Sequence, residues 1–123
     1  MAWVEIDLKA VRHNFRELKR LAVHQLEPRK NRDVEVLSVV KADAYGHGML
    51  EVVRVLEREG GRFFAVSNLE EGITLRKAGC KHRILLLEAT LPEMARARVE
   101  HDLTPSLSSP ALVKELDRYG RKY

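Results

Sequence analysis

Between positions 8 and 22 the apolar residues fall three and four apart. Leu8, Val11, Phe15, Leu18 and Ala22 share one face, which predicts an amphipathic helix. Asp7 stands where an N-cap would accept backbone N–H bonds. Before it, Trp3-Val4-Glu5-Ile6 alternates like a short strand. Residues 23–33 lose any period around Pro28 and a polar cluster, so a loop is expected there.

A repeating grammar follows. An apolar run at residues 34–40 predicts a strand, then a glycine-containing turn, then a helix over 49–59 that Gly60-Gly61 ends. A second strand is expected at 63–66. Asn68 can cap a helix over 69–78, with Gly79 just past its end. A third strand is expected at 84–87, and Thr90 and Pro92 open the next helix. A fourth strand covers 103–107. Ser109-Pro110 starts a last helix, with Leu112, Val113 and Leu116 on one side.

Strand and helix thus alternate four times, with strand starts about twenty to thirty residues apart. FFAV and ILLL do not alternate polar and apolar residues, so they read as parallel strands buried on both faces. The class is α/β. A small open doubly wound sheet and part of a (β/α)8 barrel both fit this spacing. A whole barrel takes about 250 residues, and four units are half of eight.

Composition narrows the class little. The chain has 123 residues, 45% hydrophobic and 33% charged, an ordinary soluble mix with enough length for one core. No apolar run is long enough to span a membrane. The N-terminus lacks a basic head followed by an apolar block, so no secretory signal is expected. One cysteine, Cys80, cannot form an internal disulfide, which suggests a reducing, cytoplasmic setting. The net charge of +4 hints at an anionic partner. The basic residues, however, share helices with glutamates: Arg12, Arg16, Lys19 and Arg20 with Glu17, and Arg54 and Arg58 with Glu51, Glu57 and Glu59. A solvated face accounts for them, no aromatic residues interleave as a stacking platform would need, and no nucleic-acid partner is expected.

The chemistry centres on SVVKADAYGHG, residues 38–48. A lysine at the end of a strand can simply reach solvent with its stem on apolar surface. Ligand sites in parallel α/β proteins, however, lie at the carboxyl ends of strands. Lys41 there, behind Val39-Val40, can be partly desolvated, and desolvation frees an amine nucleophile for Schiff-base chemistry. Tyr45 on the same loop could give a hydrogen bond to a phosphate. Gly46 and Gly48 would allow tight backbone geometry beside a ligand, or just an ordinary turn.

VVKADAYGHG resembles the cofactor-lysine signature of alanine racemases, close to [VA]-x-K-A-[DN]-[AG]-Y-G-H-G, without a gap from Val40 to Gly48. The opening WVEIDLKAVRHNFREL is similar to that family's start, through Ile6, Asp7, Leu8, Ala10 and Asn14. FAVSNLEEGITLRKAG resembles a further family segment, through Glu71, Leu75, Arg76, Ala78 and Gly79, and ILLLEATLPEM and LTPSLSS also fit. The resemblance covers the whole chain.

It implies a fold-type III pyridoxal phosphate enzyme: a partial (β/α)8 barrel here, about four βα units preceded by an N-terminal helix, with the later barrel half and a β-rich domain beyond residues 1–123. It implies that Lys41 is catalytic and holds pyridoxal 5'-phosphate covalently, and that Tyr45 binds the cofactor phosphate. The activity implied is interconversion of L- and D-alanine for peptidoglycan precursors by two bases on opposite faces: the lysine and a tyrosine of the partner subunit in a homodimer. The family's later site elements have no counterpart in this sequence, so the chain alone is expected to be inactive. One alternative is a non-catalytic half barrel whose edge strands, 34–40 and 103–107, invite pairing. Another is a cofactor-binding module without racemisation, against which the AYGHG loop argues.

Several residues have simpler readings. His47 could be a ligand or base, or a loop histidine bonded to backbone. His13, His24, His82 and His101 have no metal-ligand spacing with one another or with Cys80, so no metal is expected. Cys80 beside Lys81 could be activated, or could be an inert thiol at a strand edge. Asp43 could orient the loop through local backbone bonds. Glu70 and Glu71 fit the acidic first turn of a helix.

Overall fold

A computed structural model describes residues 1–26 and 34–122; of the loop expected at 23–33, residues 23–26 are instead the last turn of the first helix, and 27–33 lie outside the described residues. The chain begins with α1 (Leu8–Leu26), four residues longer than its apolar periodicity. Asp7 caps it as expected, its Oδ1 accepting from the N–H groups of Lys9 and Ala10 at 2.8 and 3.2 Å. The strand expected at Trp3–Ile6 does not form, and Trp3 and Val4 stay exposed. Alternation alone is insufficient: a strand needs a ladder partner for its backbone groups, and none of the four strands pairs with this segment.

The other elements follow in order: β1 (Leu37–Val39), a helical turn α2 (Lys41–Gly46), α3 (Met49–Arg58), β2 (Phe63–Val66), α4 (Leu69–Lys77), β3 (Arg83–Ala89), a 3-10 turn at Pro92–Met94, α5 (Ala95–Glu100), β4 (Thr104–Ser106) and α6 (Pro110–Gly120). Asn68 and Ser109 cap their helices through bonds from Glu71 N–H and Leu112 N–H. Thr90 does not cap; it is buried, and its hydroxyl faces the Ser106 carbonyl at 3.5 Å.

The four strands are parallel and lie in the order β1-β2-β3-β4. A doubly wound sheet reverses its order at a switch point, whereas a (β/α)8 barrel adds each strand beside the last. The sequential order selects the partial barrel. It also leaves β1 and β4 as edges, as expected. β1 is shorter than the apolar run at 34–40 because Leu37 pairs with Phe63, where β2 begins. Residues 34–36 therefore have no ladder partner.

The expectation of strands buried on both faces holds for β2, where Phe64, Ala65 and Val66 are all buried, and needs correction for β3, where Leu87 is exposed. Phe64, Val66, Ile84 and Leu86 join one core with Phe15, Met49, Val52, Val53, Leu56 and Leu75 from the helices. On the opposite face Leu37, Val39 and Leu87 are exposed. In a barrel that inner face is filled by side chains from other strands rather than by helices, so an unalternating run such as ILLL does not require helices on both sides. At its amino-terminal end the inner face carries a small cluster. The Arg83 guanidinium lies 4.4 Å from the Phe63 ring centroid and pairs with Glu35.

The charged residues behave as a solvated face. Arg16 pairs with Glu59 at the end of α3, and Arg20 with Glu17. Arg98 is an exception: it is buried on α5, where desolvation pulls its pKa down and the Glu88 charge works against that shift. Among the described residues no helix is long and apolar enough to cross a membrane.

Candidate active site

The site is built on the junction of β1 and α3. The β1–β2 ladder ends with Val40 N–H on the Ala65 carbonyl at 2.8 Å. Lys41 follows at once, half-buried at the carboxyl end of β1, the edge at which ligands bind in such sheets.

The next residues do something the sequence patterns did not reveal. Ala42, Asp43, Ala44 and Tyr45 all have φ between 51° and 56° and ψ between 37° and 53°. They form a left-handed helical turn, with Ala44 N–H on the Val40 carbonyl at 2.9 Å. Left-handed geometry costs an L-residue roughly 1–2 kcal/mol, and here four non-glycine residues adopt it in succession. Such a segment persists only where its surroundings over-determine it.

They do. Asp43 Oδ1 accepts from Met49 N–H at 2.7 Å, and the Asp43 carbonyl from Gly48 N–H at 3.0 Å. His47 Nδ1 donates to the carbonyls of Ala44 and Tyr45 at 2.9 and 3.2 Å. Ala44 is buried, which pins the turn's inner side. From outside the turn, Glu71 accepts from Ala42 N–H at 2.7 Å. Gly46 and Gly48 carry φ of +82° and +86°, so both supply conformations that side chains resist.

The structure thus brings Lys41 and Tyr45 onto one turn. Tyr45 is exposed, 59% of its surface open. His47 is the backbone-bonded loop histidine, and Asp43 orients the loop locally, as the simpler readings had it. Among the described residues no group of three His, Cys, Asp or Glu side chains could hold a metal. Cys80 is the inert thiol of the two readings rather than an activated one: it is buried in the core, and burial raises its thiol pKa.

Two residues named in the family resemblance have roles that the sequence patterns did not reveal. Glu71 is more than a first-turn acid: its second oxygen accepts from Ser67 N–H at 2.7 Å. Its signals were its position three residues past Asn68 and its place in the family segment, and neither points to Ala42. Arg76 spans three segments at the opposite end of the sheet, donating to the carbonyls of Cys80, His82, His101 and Asp102 at 2.7–3.0 Å. No periodicity marks it.

Comparison with known proteins agrees with this geometry. The family profile described as "Alanine racemase, N-terminal domain" matches residues 6–123. An alanine racemase of Carboxydothermus hydrogenoformans is 46% identical over 105 residues, 85% of this chain and 26% of that protein. Alanine racemase 1 of Caldanaerobacter subterraneus subsp. tengcongensis is 39% identical over 119 residues, 97% of this chain and 29% of that protein. The crystal structure of alanine racemase from Bacillus anthracis with bound L-Ala-P superposes with a TM-score of 0.81 at 30% identity, covering 98% of this chain and 29% of that one. The chain therefore spans well under a third of the length of these relatives. With its sequential parallel strands and its lysine-bearing left-handed turn, it belongs to the alanine racemase N-terminal domain family.

Proposed function

We propose that this chain is the cofactor-lysine segment of a pyridoxal phosphate-dependent alanine racemase, working in a homodimer in the cytoplasm. The later barrel half and β-rich domain of the complete enzyme lie beyond residues 1–123. One observation carries the reading. A half-buried lysine closes β1 and is tied to Tyr45 by a left-handed turn that five separate hydrogen bonds from Asp43, His47, Gly48 and Glu71 hold.

The donor set fits the cofactor. Lys41 offers a primary amine, the group that condenses with an aldehyde. Tyr45 offers an exposed phenol that can donate to a phosphate oxygen. Pyridoxal phosphate, when bound, supplies the electron sink that lets an amino acid release its Cα proton.

This chain's residues then have two tasks. Lys41 holds the cofactor between turnovers, and its Nζ, once released, takes or returns the Cα proton on one face. Tyr45 would hold the cofactor by donating its phenol to a phosphate oxygen. Inversion at Cα needs a second base on the opposite face, which in this reading comes from the partner subunit.

The test is activity in two settings. A complete enzyme carrying this segment is expected to interconvert L- and D-alanine and to lose that activity when pyridoxal phosphate is removed. The isolated 123-residue chain is expected to show negligible interconversion. Interconversion that survives cofactor removal would overturn the proposal.

Tyr45→Phe probes the phosphate anchor. Losing one hydrogen bond to a charged group should weaken cofactor binding by about 1–3 kcal/mol. Titrating pyridoxal phosphate into the complete apoenzyme measures this, and unchanged affinity would remove Tyr45 from the phosphate site.

A further inference from the structure

The Glu71 side chain does not follow the usual pattern at a helix start. In a capping box the third helical residue returns its carboxylate to the N–H of the cap itself. Here Asn68 is the cap, and its Oδ1 takes the Glu71 N–H at 3.0 Å. The Glu71 carboxylate reaches elsewhere. One oxygen accepts from Ser67 N–H, just past the end of β2, and the other from Ala42 N–H, 29 residues upstream, both at 2.7 Å. Ala42 is the first left-handed residue and follows Lys41 directly.

We propose that Glu71 is the positioning residue for Lys41. Its carboxylate clamps the carboxyl ends of β1 and β2 and fixes the peptide that joins Lys41 to the left-handed turn. The direction of the lysine side chain is thereby set from α4. The inference rests on the reading of Lys41 as the cofactor lysine.

Two converging N–H donors explain why the residue is an acid. A carboxylate accepts from both. A glutamine has one oxygen, and its NH2 would face the other donor. Nothing in the capping of α4 requires the bond to Ala42, because Asn68 already serves that helix.

The experiment uses a complete enzyme carrying this segment, as the parent and as Glu71→Gln, Glu71→Ala and Glu70→Gln. Glu70 is an exposed acid in the same first turn and controls for lost charge. Pyridoxal phosphate is added to apoenzyme, borohydride fixes it at timed intervals, and peptide mapping locates the tag. Amide exchange at Ala42 and the unfolding midpoint are followed alongside.

Glu71→Gln is expected to slow fixation at Lys41 at least tenfold and to speed exchange at Ala42, with Glu70→Gln within twofold of the parent. A merely structural role would lower the midpoint without slowing fixation in the folded protein. Fixation at Lys41 at the parental rate in Glu71→Gln would overturn the role of Glu71 and leave the Lys41 reading intact. A tag on another lysine in the parent would overturn the Lys41 reading and this inference with it. Should the variants not fold, the parent decides: rapid exchange of the Ala42 amide would overturn the clamp, and slow exchange would support it.

Discussion

In a complete enzyme carrying this segment, Lys41→Ala is expected to abolish the coloured, borohydride-fixable form of the cofactor and to stop racemisation. Two losses combine. Without Nζ there is no amine to hold the aldehyde, and no base on that face of the substrate. A positioned base alone contributes typically 10²–10⁴-fold, so the residual rate should fall at least that far. Lys41→Arg should fail as well, because a guanidinium keeps its charge and does not become a nucleophile. The backbone offers a control. Ala42 to Tyr45 hold their left-handed geometry through bonds that do not involve the lysine side chain, so the variant should still fold and bind pyridoxal phosphate non-covalently. A retained visible band that borohydride traps at a different lysine would show that the amine has been misassigned.

What the sequence made legible was periodicity and capping, because both are local. The helix α1, the unbroken run of β2, and the caps Asp7, Asn68 and Ser109 can each be read within a few residues, and all appear in the structure, although of the predicted α1 face Leu8, Val11 and Phe15 pack on the core while Leu18 stays exposed. Strand ends were less legible because pairing sets them. β1 begins at Leu37 only because β2 begins at Phe63. The choice between open sheet and barrel was not legible from spacing at all, since strand order is a property of the whole sheet. The Trp3–Ile6 segment shows the converse, an alternating pattern with nothing to pair against. Within the site, residue types pointed to Lys41 and Tyr45, but the hand of the turn between them was hidden. Alanine and aspartate rarely form a left-handed turn, and it stands here only because partners as distant as Glu71 hold it.

Arg76→Ala is expected to destabilise the fold by about 1–3 kcal/mol, the range for leaving hydrogen-bond acceptors unsatisfied. Only 13% of its side chain is exposed. Nε donates to the His101 carbonyl, Nη1 to those of Cys80 and His82, and Nη2 to that of Asp102. One guanidinium thus ties α4 to the segment entering β3 and the segment entering β4. Truncation would leave four carbonyls without this donor, and acceptors left unpaired cost more than the bonds returned. Lysine should restore little, because an ammonium cannot serve four acceptors spread across a plane. The ion pair with Asp102 is not the cause: that carboxylate is 98% exposed and 3.6 Å away, so Asp102→Ala should shift stability by less than about 1 kcal/mol. Urea unfolding separates the two. Arg76→Ala should lower the midpoint strongly at constant slope, and a shift as small as that of Asp102→Ala would mean that solvent already satisfies those carbonyls.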